Sequence, residues 1–375
     1  MSSGSPIVVA HARIVSGAGG GPEKTILNTP RHLAGSRYRA FALYLVAPGD
    51  AAFEVLRERA REKQCELVAL EDRWPFDPRT LNKLAAICRE RNVTIWHGHD
   101  YKSNFYGVLL RKRAKLRLVT TMHGWVQPSW KTPLYFAIDR WSLRRYEQVM
   151  AVSQDLFDEA LASGVARERL TLIENAIDTE EFRRRAPTSG QPFVIGAVGR
   201  LSEEKGFHLL IEACERLAAK GVEFELRIAG EGAQKDALAR QIASAKFGSR
   251  WKLLGFQKDT RALFEGFDLF ALSSLREGLP NVVLEAMAME VPVLATRCGG
   301  MAAFAKHGED SLLVEPGSVD ELERGLEALV RDAQLRARLA RNARERIERE
   351  SSFAARIAKE LAVYERLWLQ ARDST

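Results

Sequence analysis

The sequence predicts an α/β protein built from two doubly wound parallel-sheet domains in tandem. Short β-rich runs alternate with amphipathic helical stretches along nearly the whole chain, which is the pattern of parallel strands covered by crossover helices. The 375 residues are two to three domains' worth at the usual size of roughly 100–200 residues each. A hydrophobic share of 46% with 28% charged residues and a mean hydropathy of −0.22 supplies a sizeable core and fits neither a disordered chain nor a fibre.

The first series of strands is expected at residues 6–14, 39–46, 66–70, 94–98, 118–122, 148–152 and 170–173. Residues 178–192 then break the rhythm with Arg183, Arg184 and Arg185 and with the stretch from Pro187 to Gly190, so they are the best linker candidate. A second series follows at 193–198, 223–229, 251–254, 269–273, 291–295 and 312–314. Ser318 with Glu321 predicts a capping box at the next helix, and two helices without further strands, 334–350 and 353–369, end the pattern. The expected domains are therefore 1–180 and 192–350. Ligands of open α/β sheets bind at the carboxyl ends of the strands, so chemistry is sought there, and a cleft between the domains is expected.

Several function classes lose support at once. No apolar run approaches the roughly 20 residues of a membrane-spanning helix. The start of the chain lacks a basic segment followed by an apolar one, so a cytoplasmic location is expected. Cys65, Cys88, Cys214 and Cys298 are scattered without a CxxC pair, which suggests small core or loop residues rather than a zinc site or a disulfide framework. Residues 1–190 carry 29 Lys and Arg against 21 Asp and Glu, whereas the remainder carries 27 against 28. The two halves face different partners.

The glycine-rich loop from Ser16 to Thr25 follows the first strand and opens a helix, a place where backbone N–H groups can approach an anion. It fails the dinucleotide pattern because Pro22 replaces the third glycine, and it fails the P-loop pattern at Ala18 and Glu23. Close approach to a ligand is the favoured reading, with a tight turn needing positive φ as the alternative. In the second half, Gly199-Arg200 ends a strand and Lys205-Gly206 follows at the next helix; two cations there suit a diphosphate, Arg200 as a planar fork and Lys205 as a point charge. Glu203 and Glu204 are equally able to make ordinary surface pairs with them. Further on, Gly278 permits a turn and Pro280 suits the first position of a helix. Glu277 falls in the loop and Glu285 on an otherwise apolar helix strip, where a carboxylate needs hydroxyl donors such as those of a sugar or ribose.

Taken together, these segments resemble the retaining glycosyltransferases of family 4, whose GT-B fold has two Rossmann-like domains facing a cleft. The resemblance rests on Gly199-Arg200, Lys205-Gly206, Ala229-Gly230-Glu231-Gly232, Leu254-Gly255 and the Glu277 to Glu285 segment with seven residues between its carboxylates. Asn175-Ala176-Ile177-Asp178 fits as well, with Ala176 departing from the usual glycine. The resemblance implies that Arg200 and Lys205 bind the donor diphosphate, Glu285 the ribose and Glu277 the transferred sugar. It also implies that the backbone of Gly278, Leu279, Pro280 and Asn281 supports sugar and phosphate, that Gly19 and Gly20 approach the phosphate, and that His123 is the active-site histidine beside the donor sugar. On residue type alone, His123 reads more simply as a packing imidazole. His97, His99 and Asp100 end another strand and suit either an acceptor side or a structural role. The last helix, about 353–375, is expected to pack back on the first domain.

The implied reaction transfers a sugar from a UDP- or GDP-linked donor, a substrate rather than a cofactor, to a glycan or lipid-linked acceptor with retention, in polysaccharide or glycolipid synthesis. Its main demand is a stabilised leaving diphosphate, which two cations and helix N-termini meet electrostatically. No Asp-x-Asp pair occurs, so no metal is expected. The alternative is a nucleotide-sugar epimerase of similar architecture, against which the spacing of the two glutamates argues. A glycoside hydrolase leaves Arg200 and Lys205 without work. Nucleic-acid binding rests only on the run from Arg111 to Arg117 and is not expected. That run, with Lys131, Tyr135, Phe136, Arg140, Trp141, Arg144 and Arg145, suits instead a peripheral contact with an anionic membrane surface, or else a solvated face over core aromatics.

Overall fold

The computed structural model describes residues 6–17, 19–73, 77–123, 132–185, 192–277 and 279–372. The chain forms two compact units, one of Met1–Asn175 with Arg356–Thr375 and one of Ala176–Ala355.

In the first unit β1 (Ile7–Val15), α1 (Gly21–His32), β2 (Tyr38–Val46), α2 (Phe53–Glu62), β3 (Leu67–Glu71), α3 (Pro78–Glu90), β4 (Val93–Gly98), α4 (Tyr101–Ala114), β5 (Arg117–Met122), α5 (Thr132–Leu143), β6 (Gln148–Ala151), α6 (Gln154–Ala162) and β7 (Leu170–Leu172) alternate strictly. The strands pair in parallel in the order β3-β2-β1-β4-β5-β6-β7. Both faces of the sheet are covered, which explains why strands such as β2 read as continuous apolar runs instead of alternating ones. Asp77, Asp100 and Ser153 accept backbone N–H groups at the starts of α3, α4 and α6 and so fix where those helices begin.

The second unit repeats the scheme with β8 (Val194–Val198), α7 (Phe207–Ala219), β9 (Glu225–Ala229), α8 (Lys235–Ser244), β10 (Trp251–Leu253), α9 (Thr260–Glu265), β11 (Leu269–Leu272), α10 (Asn281–Ala288), β12 (Val293–Thr296), α11 (Gly300–Phe304), β13 (Leu312–Val314), α12 (Val319–Arg331) and α13 (Ala333–Glu350). Its parallel order is β10-β9-β8-β11-β12-β13. The last helix, α14 (Phe353–Arg372), starts in the second unit and continues in the first from Arg356 onward. In both sheets the strand order reverses beside the first strand, between β1 and β4 and between β8 and β11, and those switch points are where open α/β sheets place ligands.

Three local expectations need correction. The boundary between the units falls earlier than the polar composition suggests, between Asn175 and Ala176: Asp178 is buried and accepts the N–H groups of Glu180 and Glu181, and Phe182 packs into the core of the second unit. Arg344 closes this segment down by donating to the carbonyls of Thr179 and Phe182. At α12 the box is one-sided, because Ser318 Oγ accepts from Glu321 N but the Glu321 carboxylate turns to Glu315 N at 2.8 Å. Pro280 caps α10 from outside, and Asn281 is its first helical residue. All four cysteines are free and buried, and burial pushes the thiols of Cys65 and Cys88 up to about 11 and about 12.

Candidate functional site

At the switch point of the second unit, β8 runs out into Gly199 and Arg200 while β11 runs out into the loop from Ser273 to Glu277. Hydrogen bonds lock the two loops together, with Leu275 N donating to Glu204 O at 2.7 Å and Ser273 Oγ to Lys205 O at 3.0 Å, while Thr296 Oγ1 at the end of β12 holds the second loop by donating to Ser274 O at 2.6 Å. Gly206, at φ +62°, makes this approach possible, since a Cβ there would lie 2.1 Å from Ser273 O. The result brings the Lys205 ammonium onto the Glu277 carboxylate, which also accepts from Ser274 Oγ at 3.1 Å. Arg200 stays apart from this pair. Its guanidinium is exposed and lies 2.8 Å from Glu204, the surface pair that residue type alone allowed. Glu285 sits one turn inside α10 and is fully buried, while Leu279 turns its side chain into the core. Gly278 lies outside the described residues.

The first unit holds a cavity of about 610 Å³ at its own switch point. Gly19, Gly20, His99, Asp100 and His123 line it together, along with Arg13, Glu23, Tyr101, Tyr135, Phe136 and Asp139. The glycine loop already holds an anion of its own. Gly20 N donates to Glu23 Oε2 at 2.6 Å, and Arg13 Nε lies 2.7 Å from Glu23 Oε1, so the buried Glu23 carboxylate takes the place expected for a phosphate. Asp100 caps α4 and accepts Ile14 N at 2.7 Å, which ties the ends of β1 and β4 together. Asp139 is held up at about 7 by burial, although Asn104 donates to it at 2.9 Å. Tyr135 stacks on Tyr101 at 4.6 Å, so Tyr135 and Phe136 face the cavity, whereas Trp141 is 39% exposed beneath the Arg145 guanidinium. Lys131 lies outside the described residues.

Behind the cavity, His11, His97, His99 and His123 form a stack contributed by β1, by β4 and the residue just after it, and by the residue following β5. One ring nitrogen from each of His11, His97 and His99 lies within 4.8 Å of the other two, a set of metal-ligating type. The rings of His97 and His99 are nearly parallel, at 18°, and hydrogen bonds link His11 to His99, His99 to His123, and His97 to Tyr364 and Thr121. The set is therefore a hydrogen-bonded stack and not a converging coordination shell. His97 is fully buried and does not line the cavity, in contrast to His99. Burial pushes all four imidazoles below their ordinary range, His97, His99 and His123 well below it, so they are neutral.

Sequence reasoning missed Arg13, His11, Asp139, Glu360 and Tyr364. A signal existed for part of this set: Arg356, Glu360 and Tyr364 recur every four residues on the apolar side of α14, a polar stripe where none is needed for solubility.

Comparison with known proteins matches residues 19–181 to the family model Glycosyltransferase Family 4 and residues 178–346 to Glycosyl transferases group 1. A lipopolysaccharide core biosynthesis glycosyltransferase of Rhizobium meliloti is 37% identical over 44% of this chain and 47% of its own length. A 2-deoxystreptamine glucosyltransferase of Streptomyces kanamyceticus is 30% identical over 55% of this chain and 58% of its own. The chain thus spans about half the length of these curated relatives. Among solved structures, Anabaena Alr3699/HepE in complex with UDP superposes with a TM-score of 0.80 at 21% identity, covering 96% of this chain and 99% of that one. Sucrose-phosphate synthase from Thermosynechococcus elongatus gives 0.76 at 18%, covering 97% and 100%. At such identities the likeness is one of fold.

Proposed function

The chain belongs to the glycosyltransferases of family 4 and group 1, and from that premise we propose that it moves a sugar, with retention, from a UDP- or GDP-linked donor to an acceptor hydroxyl in glycan or glycolipid synthesis. The observation that carries the reading is the Lys205 and Glu277 pair at the switch point of the second unit. Lys205 exchanges its carboxylate partner for the donor diphosphate, and Glu277, released from it, takes hydroxyls of the transferred sugar; charge-assisted hydrogen bonds replace one another, so little is lost in the exchange. Glu285 receives the ribose. Arg200, which gives up only an exposed ion pair of small worth, adds a second cation to the leaving diphosphate. Leu279, Pro280 and Asn281 place the start of α10 under the phosphates.

The cavity of the first unit is the proposed acceptor side, with His123 beside the donor sugar. Because Glu23 holds Gly20 N, the Gly19 and Gly20 backbone serves the donor phosphate only if that carboxylate moves. The family match favours a transferase over the epimerase. In support of peripheral contact with anionic lipid stand the basic end of α4 and the exposed Trp141, although Arg111 and Arg117 both pair with Glu147. No helix of the described residues is long and apolar enough to cross a membrane.

The test is a panel of UDP-, GDP- and ADP-sugars, followed by NMR of the product's anomeric proton. Turnover of one donor with retention, undiminished by excess EDTA, is expected. Inversion, or a strict need for added magnesium or manganese, overturns the reading.

A further inference from the structure

Glu360 lies on α14 between Arg356 and Tyr364, one turn from each, and all three are buried. The hydrogen bonds around it assign each imidazole proton. Tyr364 donates its only hydroxyl hydrogen to Glu360 Oε1 at 2.5 Å, so its oxygen accepts from His97 Nδ1 at 2.7 Å. His97 therefore carries its proton on Nδ1 and receives Thr121 Oγ1 at Nε2, 2.7 Å away.

The same carboxylate oxygen lies 3.8 Å from His11 Nε2, a fully buried atom with no hydrogen-bond partner. An N–H facing a carboxylate in a dry interior is favoured and a lone pair facing it is repelled. His11 accordingly holds its proton on Nε2, which leaves Nδ1 to accept from His99 Nε2 at 2.9 Å. His99 then has only a lone pair at Nδ1, and this accepts from His123 Nε2 at 2.9 Å. Every N–H in the chain points back toward Glu360, and His123 is left with an acceptor at Nδ1. Reversing the chain would turn a lone pair of His11 on the carboxylate and make His123 Nδ1 a donor.

We propose that Glu360 is a positioning residue, which through His11 and His99 fixes the tautomer and the ring orientation of the cavity histidine His123. This deepens the assignment of His123 to the donor sugar and rests on it. Neutrality of the rings, enforced by burial, is what makes the direction matter, since a doubly protonated imidazole has no acceptor to orient. Arg356 donates to the carbonyls of Ile173 and Glu174 and so anchors this face of the helix behind β7.

The experiment uses the full chain labelled with ¹⁵N-histidine and reads the two-bond ¹H–¹⁵N spectrum alongside UDP release from UDP-glucose and GDP release from GDP-mannose. In the wild type, His11, His99 and His123 should show Nε2–H and His97 Nδ1–H. Glu360→Gln should mix or reverse the His123 tautomer and lower kcat at least tenfold with the donor KM within twofold, and Glu360→Asp should recover part of both. A wild-type His123 protonated at Nδ1, or a His123 signal unchanged in Glu360→Gln, overturns the proposal. Should Glu360→Gln not fold, the wild-type spectrum and Glu360→Asp still decide it. Full activity of His123→Ala in the presence of the expected spectrum would instead overturn the assignment of His123 to the sugar and leave the hydrogen-bond chain standing.

Discussion

Replacing Lys205 by Ala separates a structural cation from one that serves the donor. Lys205 and Glu277 are 18% and 12% exposed, so the pair is neither a surface ornament nor fully dry. Removing one partner of a fully buried pair costs about 3–5 kcal/mol. Here solvent reaches both groups, and Ser274 continues to donate to the orphaned carboxylate, so about 1–2 kcal/mol is the expected loss. In a unit the size of Ala176–Ala355, that corresponds to a fall in Tm of roughly 2–8 °C. Domains with about 5–15 kcal/mol of stability survive such a loss, so the rate can be measured on folded protein. A positioned donor to charge that develops in the transition state is worth about 10²–10³ in kcat. Thermal unfolding and initial rates at saturating donor, measured on one preparation, give both numbers. A kcat within threefold of wild type would refute the assignment, and a loss of activity matched by unfolded protein would make Lys205 a structural residue only.

Gly206→Ala should destabilise the second unit and suppress turnover, because its Cβ would meet Ser273 O at 2.1 Å in a backbone region where L-residues are strained; an unchanged melting curve would show the two loops to be less closely joined. Truncation after Ser352 should give insoluble or inactive protein, since Ile357, Val363, Tyr364 and Leu367 leave the core with α14, and a soluble, active fragment would contradict this. Stability should also fall as pH drops below about 6.5. His11, His97, His99 and His123 are held below that value when folded, so the unfolded chain binds more protons there and the stability they allow is present only above it. Asp139, raised to about 7, and Asp100, also raised, act in the opposite sense and lose stability as pH climbs. The four histidines outnumber the two carboxylates, so the net is an uptake of protons on unfolding as pH falls below that range, each proton worth about 1.4 kcal/mol per pH unit. A flat stability profile between pH 5 and 7 would count against the neutral histidine stack.

The strands and most helices are legible in the residue order, because buried parallel strands and amphipathic helices are written in apolar spacing within a few residues of each position. It also located Gly199 to Gly206 and Glu277 to Glu285, where short loops at strand ends carry charge that a core does not need. What it left open at these positions was partnership. Whether Lys205 meets Glu203, Glu204 or Glu277 is a matter of which loops lie side by side, and that follows from β8 pairing with β11 across more than seventy residues of chain.

The Gly19 and Gly20 loop suits an anion by its sequence, and in the fold its own third helical residue, Glu23, accepts Gly20 N; the loop's glycines resemble both cases equally, so the sequence does not say which anion the loop holds. The histidine stack lay furthest from sight. His97 and His99 fall on one side of β4 by the two-residue alternation of a strand, but His11 is 88 residues from its partner His99, and Tyr364 is 267 from His97. Only the sheet order β1-β4-β5, and the return of α14 to the first unit, bring them together. Local sequence fixes which atoms can donate and accept, whereas their distances, their dryness and hence their tautomers are properties of the packed fold.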